Sequence, residues 1–452
     1  MPSSIPPSLP PKPPQPSPGQ DNSWGSSIWK RVKEVVAPIF ENIHRYRAPE
    51  MTGSELISFI QALGYKSSEG GICCGLALMA IQAILCNDFD TYEFRLQRIA
   101  TLIDKYKEMS GNQDFLELVK KDASILKKDY DLVAFFDGIE LYQNSGLYSH
   151  LFENPLSDIK YKDFLNTVVP ITSPGILQAK GGIDIAEQFI RIYDTKDLKL
   201  HLKKLKNLFK ESASCPIALS GNGHVIVVTY DVKKSSWTVI DHGHITKSLS
   251  SDKLASYVYR ALTPSSKLGK KTNLCAITTM LFTTKDQSQS LQKILESHSP
   301  DLLDIPQFSK EKLAFASRDE FCRDVISYND LTMFKAMLEQ GVLFSASDKL
   351  DKTIISCFWH FFVEVVLKDK NPAFTSLIVD TMGIAFVEKK DSNGDSFLLA
   401  AIKDNNIPIV EVLLKAGANL NQRDLSGKTP LQIALNNNFV ELAALLAPPP
   451  QL

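Results

Sequence analysis

The 452-residue chain has only seven cysteines, at positions 73, 74, 86, 215, 275, 322 and 357, and no CxxC pair. An odd, scattered set of thiols, without the Cys/His spacing of a zinc site, argues against both a disulfide framework and a structural metal and predicts free thiols in a reducing compartment. No cofactor is expected. An excess of one charge is also missing. Fifty basic residues face fifty-one acidic ones for a net charge of -1, so no overall field draws the chain to nucleic acid or to an anionic membrane. The opening MPSSIPPSLPPKPPQPSPGQDNSW lacks an apolar core segment, which predicts neither a Sec signal peptide nor an anchor. The most apolar window, IISCFWHFFVEVVL at 354–367, falls short of the ~20 residues of a membrane span and is expected to be a buried helix. What is present is an ordinary globular composition, 44% hydrophobic and 22% charged, long enough for two or three domains.

Residues 1–26 read as a disordered Pro-rich arm, whose PPKPP stretch has the pattern of a polyproline ligand. From about 27 to 210 apolar residues recur at three and four spacing, as in SIWKRVKEVVAPIFENI and TYEFRLQRIATLIDKYKEM, and predict mostly helical packing. The pattern changes at 214. SCPIALS, GHVIVVTYDV and SWTVIDHG are short β-branched runs separated by GNG and KKSS, which predict consecutive antiparallel strands. A helix at SDKLASYVYRAL and a strand at NLCAITTMLFTT complete a domain over 27–284. The polar stretch within 285–315 is expected to be a linker.

Repetition follows. DSNGDSFLLAAIKDNNIPIVEVLLKAGANLNQR begins at Asp391, DLSGKTPLQIALNNNFVELAALLA begins at Asp424, and the offset is 33 residues, the ankyrin period. In each unit Asp and Gly shape a turn and Ser-Phe-Leu or Thr-Pro-Leu opens the first helix. Gly341 precedes Asp348 by the interval that separates Gly417 from Asp424. This predicts about three to four repeats over 316–447, the second with a long insertion in 348–390, and a tail at 448–452. The repeats are read as a module for binding a protein partner.

The chemistry-bearing stretch is GGICCGLALMAIQAILC, residues 70–86, where glycines precede two thiols at the head of an apolar helix. The partial positive charge of a helix N-terminus favours thiolate. His224, delivered by Gly221-Asn222-Gly223, opens one predicted strand, and Asp241 closes the next. A hairpin turning at Lys233 to Ser236 puts them side by side, where a carboxylate fixes and charges an imidazole. The expected site is therefore Cys73 as nucleophile, His224 as base and Asp241 as orienting acid, with Cys74 the alternative nucleophile and Gln61 a candidate oxyanion donor. His242 and His244 are expected to be turn residues, His242 pointing away from Asp241. The run LKLHLKKLKNLFK at 198–210 reads as the solvated face of a core helix, and GNG at 221–223 is too short for a phosphate loop.

The Gly-x-Cys-x-Gly-Leu helix, the Gly-x-His strand and the strand ending in Asp before Gly resemble the papain-like cysteine proteases, in particular the effector branch related to the YopT group. Combined with C-terminal ankyrin repeats, the chain resembles the ankyrin-bearing type IV secreted effectors of Legionella. The resemblance implies an α+β fold, a papain-like domain of helical half and antiparallel sheet followed by an all-α solenoid, and thiol hydrolase chemistry on a peptide or protein substrate. It also implies delivery without a Sec signal into a host cell, to cytoplasm or nucleus, and host proteins as partners of the repeats. The alternatives are a non-catalytic host-protein binder on a papain-like scaffold, or acyl transfer or deamidation at the same three residues.

Overall fold

The computed structural model describes residues 51–66, 71–111, 114–122, 129–145, 174–209, 215–263, 274–302, 305, 308–312, 319–340, 366–367, 371–391 and 393–447. The Pro-rich arm, the tail and residues 348–365 and 368–370 of the expected repeat insertion lie outside them, as does the window 354–367 except for Val366 and Leu367, which are buried.

Five helices come first: α1 Gly53–Ala62, α2 Cys73–Leu85, α3 Phe89–Ser110, α4 Phe115–Lys121 and α5 Tyr130–Gln143. Thr52 starts α1 through a capping box with Glu55, Asp129 caps α5, and α3 carries the apolar stripe Tyr92, Leu96, Ile99, Ala100, Ile103 and Tyr106. The second helix differs from its neighbours: nine of the thirteen residues of CCGLALMAIQAIL are buried and none is exposed, so it is a core helix with no solvent stripe. Gly75 lets it approach α5, where an added Cβ would sit 2.4 Å from the carbonyl oxygen of Ile139.

After a short helix α6, Gly175–Ala179, the chain builds one antiparallel sheet from β1 Ile183–Tyr193, β2 Ile217–Gly221, β3 His224–Asp231, β4 Ser236–Asp241, β5 His244–Leu249 and β6 Cys275–Thr284. The spatial order is β1-β6-β2-β3-β4-β5, so the last strand in sequence lies between the first two. Helices α1–α5 cover one face through Ile185, Ala218, Val227, Ile240 and Phe282. The other face is covered by α7 Thr195–Leu208, α8 Ser251–Leu262 and α9 Lys285–Leu302, which bury Leu198, Leu202, Leu254, Val258, Leu291 and Leu295 against Phe189, Ile226, Val228, Trp237 and Ile277. The Lys-rich run is thus the outer side of a core helix, with Lys199 paired to Asp252 at 2.8 Å.

Three expectations change. The half read as helical contains β1, because IDIAEQFIRIY is apolar on both faces and carries no clean period of two. A bulge between Ile185 and Glu187 reverses its alternation, so Ile183 and Ile185 share a face with Ile190 and Ile192. The segment 285–302, expected within a linker, is α9, whose apolar residues seat it on the sheet. His244, expected to be a turn residue, instead opens edge strand β5, whose Thr246, Lys247 and Ser248 are exposed.

The C-terminal part is built of helix pairs: α10 Asp319–Ser327 with α11 Leu331–Glu339, α12 Pro372–Met382 followed by the short α13 Ile384–Val387, α14 Phe397–Lys403 with α15 Ile407–Lys415, and α16 Pro430–Asn436 with α17 Val440–Leu446; α12 packs against α11 and α15, in the place of a second helix. Their 33-residue period has a physical basis in the turns. Asp391 Oδ1 accepts the N–H of Asn393 and Asp395, and Asp424 Oδ1 accepts the N–H of Ser426 and Lys428. Ser396 and Thr429 then cap the next helix, Thr429 in a capping box with Gln432. The first pair packs on the sheet through Ile190, Ile192 and Leu274, which join the repeat core of Phe334, Phe374 and Phe397. No helix among the described residues is long and apolar enough to cross a membrane.

Candidate active site

Cys73 is the first residue of α2. Its predecessor Ile72 offers no side-chain cap, and Gly71, at φ 86, turns the chain into the helix. The helix start is therefore open to groups from the sheet, and α2 packs against β3. The Asn222-Gly223 turn, both residues at positive φ, reverses β2 into β3 and leaves His224 at the strand's beginning. Asp241 ends β4.

These placements bring the three expected residues together. His224 Nε2 meets Asp241 Oδ1 at 2.7 Å, both side chains mostly buried. His224 also hydrogen-bonds the Cys73 thiol, and since Nε2 is engaged by the carboxylate, Nδ1 is the nitrogen that faces sulfur. Burial alone would oppose the charged imidazolium, but the Asp241 carboxylate and the Cys73 sulfur outweigh it and push His224 up to about 9. Burial likewise opposes a thiolate at Cys73. Hydrogen bonding from His224 and from the N–H of Val225 and Cys74 wins, and the thiol is held below its ordinary value. Asp241, despite burial, is held well below the usual carboxylate range by His224, His242 and Tyr257.

Three other thiols contrast with this. Burial pushes Cys86 up, and pushes Cys215 and Cys275 to about 12. Cys74 lies one residue, roughly 100°, further round the helix, where its electrostatic neighbour is Tyr328 of the turn after α10. Gln61 is exposed on α1, whose buried side is Leu56, Phe59, Ile60 and Ala62, and is not among the groups acting on the Cys73 thiol. Gly75 N–H at the helix start is taken by Gln143 Oε1 at 3.1 Å.

Two participants escape a reading of strand alternation. Tyr257, on α8, donates its hydroxyl to Asp241 Oδ2 at 2.9 Å. His242, expected to point away, instead places Nδ1 2.8 Å from Asp241 Oδ1. Alternation fails there because His242 and Gly243 form a two-residue turn at φ 45 and 82, which folds the imidazole back over the carboxylate. The signal was present as Asp-His-Gly-His between two extended runs. His244, at the start of β5, is exposed.

His224, Asp241 and His242 also have the residue types of a metal site. Their arrangement fits proton sharing instead. The two rings are stacked, centroids 4.1 Å apart and 9° from parallel, and both nitrogens converge on one carboxylate oxygen. A metal ligated by imidazole lies close to the ring plane, and a single ion cannot lie in two parallel planes.

Residues 363–451 match the family of ankyrin repeats (3 copies), so the C-terminal part of the chain is an ankyrin-repeat array. The pair α10/α11 precedes the matched segment. No curated protein matches the chain. Ankyrin arrays present extended surfaces to other proteins, and a protein partner follows from this part of the chain.

Proposed function

We propose that the chain is a thiol hydrolase with a papain-like arrangement of Cys73, His224 and Asp241, directed to its target by the ankyrin repeats. The observation that carries this is a single imidazole bonded on one side to a buried carboxylate and on the other to a thiol at a helix N-terminus. The charges support an ion pair, Cys73 thiolate with His224 imidazolium, at neutral pH.

In the proposed reaction the Cys73 thiolate attacks a carbonyl carbon of a peptide or ester, and the backbone N–H of Cys73 at the start of α2 serves the developing oxyanion. His224 Nδ1–H gives its proton to the leaving nitrogen or oxygen. The same nitrogen then takes a proton from the water that hydrolyses the thioester and restores the thiol site. Asp241 stays ionised and keeps the Nε2–H tautomer. Resemblance supports a bacterial effector delivered without a Sec signal, acting in the host cytoplasm or nucleus, with a host protein as the partner of the repeats.

The test is capture of substrate from host lysate by Cys73→Ala protein beside a mechanism-based thiol probe on the unaltered chain. A covalent adduct at Cys73 that requires His224 is expected. Labelling of Cys73 no faster than that of Cys86 would sink the hydrolase reading.

A further inference from the structure

The geometry assigns to His242 a positioning role: its imidazole, stacked on His224 and bonded to the same oxygen of Asp241, holds the His224 ring toward Cys73 and excludes water from the His224–Asp241 bond. This rests on the hydrolase reading above, and three observations carry it.

Asp241 Oδ1 receives two ring nitrogens, His224 Nε2 at 2.7 Å and His242 Nδ1 at 2.8 Å, while Oδ2 receives Tyr257. Because an ionised carboxylate only accepts, His224 Nε2 and the Tyr257 hydroxyl both donate to it, with the His242 ring stacked over the first of these bonds. That fixes the proton on His224 Nε2 and directs Nδ1 to sulfur. The rings are also parallel and in contact, so His224 cannot swing out from the carboxylate without first displacing its neighbour.

The backbone is strained in a telling place. His242 sits at φ 45, a conformation that Gly or Asn adopts with less cost, yet the position carries an imidazole. A seat has been made for it as well. Gly53, the first residue of α1, lies so close that an added Cβ would be 2.9 Å from His242 Cβ and 3.0 Å from Cγ. The neighbouring Thr52–Glu55 capping box, with Lys107 bonded to Glu55, anchors that helix start.

The ionisable groups acting on His224 are Asp241 and Cys73. Those acting on Asp241 are His224, His242 and Tyr257, and Arg260 lies over the Tyr257 ring. Water admitted between His224 and Asp241 would raise the local dielectric, weaken the pair and lower the thiolate fraction at acid pH.

Alkylation of Cys73 by iodoacetamide, followed by peptide mass spectrometry across about pH 5 to 10 on the full chain, tests the assignment. His242→Asn keeps the turn and a donor but removes the ring, whereas Gly53→Ala keeps every polar group and displaces the ring. Both are expected to move the acid limb of the profile up by about one pH unit, slowing alkylation about tenfold near pH 6. His224→Ala serves as the reference and is expected to abolish the acid limb. Profiles of both ring variants superimposable on the unaltered protein, with His224→Ala still changed, would overturn the positioning role and leave the hydrolase reading standing. A uniform slowing at every pH would also overturn it. An unchanged His224→Ala profile would remove the hydrolase reading and this inference together.

Discussion

Arg191 on β1 and Asp330 at the head of α11 form a buried ion pair, Nη1 to Oδ2 2.6 Å, across the seam between the sheet and the first repeat. Asp330 does more than neutralise the guanidinium. The same Oδ2 accepts the N–H of Ile190 at 2.8 Å, and Oδ1 caps α11 through the N–H of Met333 at 2.9 Å. The repeats are thereby tied to the strand beside β6 by charge, backbone and the apolar contacts of Ile190 and Ile192.

Removing one partner of that pair leaves a buried charge uncompensated. Asp330→Ala is expected to cost about 3–5 kcal/mol, with a further ~1 kcal/mol from the lost cap, and Arg191→Met less than Asp330→Ala. Urea unfolding followed by tryptophan fluorescence and by far-ultraviolet circular dichroism checks this. Coincident transitions shifted to lower urea are expected. An unshifted midpoint would show that the seam does not contribute to stability.

Cys73 is expected to be the most reactive of the thiols at neutral pH, since its thiol is lowered while Cys86, Cys215 and Cys275 are raised. Its rate with a small electrophile is expected to stay high at pH values where an ordinary cysteine is protonated. Site-resolved labelling at about pH 6 measures it. Equal labelling of Cys73 and Cys86 would contradict the ion pair.

Asp241→Asn keeps the shape of the site but removes the charge that holds His224 near 9. The imidazole then returns toward its ordinary value of 6.5, and alkylation of Cys73 at neutral pH is expected to fall by about tenfold or more. Tyr257→Phe removes one donor to the carboxylate and is expected to cost severalfold. Stability follows the same logic. His224 is raised, so its contribution is complete below 6.5 and is lost as pH rises through about 9. Asp241 is depressed, so its contribution is present above its ordinary 3.8 and is lost as pH falls below it. Melting temperatures across pH are expected to show the alkaline loss in the unaltered protein and not in Asp241→Asn.

His201 makes the fold sensitive to acid for a different reason. It is wholly buried between Phe189 and Tyr193, and desolvation with help from Arg191 pushes it down to about 3. The folded protein keeps it neutral while the unfolded chain takes a proton below 6.5, so stability is full above that pH and declines below it by up to about 1.4 kcal/mol per unit. His201→Phe is expected to flatten the slope between about pH 6 and 4, read from urea midpoints. The same slope in both proteins would place the acid sensitivity elsewhere.

The repeats were legible because their period is local: an Asp that bonds two N–H groups of its own turn and a Ser or Thr that caps the next helix need no distant partner. Strands β2 to β4 and the meeting of His224 with Asp241 were legible for a similar reason, since one hairpin fixes both positions. Strand β1 was not, because it is apolar on both faces and its partner β6 lies some ninety residues away. The helix α9 was missed because its few apolar residues gain their meaning only from the sheet beneath them.

For the site itself, the residue types and their order along the chain were set by sequence: a thiol at a helix head, an imidazole after a glycine turn, a carboxylate at a strand end. Tertiary structure decided the rest. It chose Cys73 over Cys74 as the thiol on His224, since neighbouring residues on a helix point in different directions and only one can face β3. It brought Tyr257 from a following helix and folded His242 back over Asp241 through a left-handed turn, because contacts between separate elements depend on backbone direction as well as on sequence spacing.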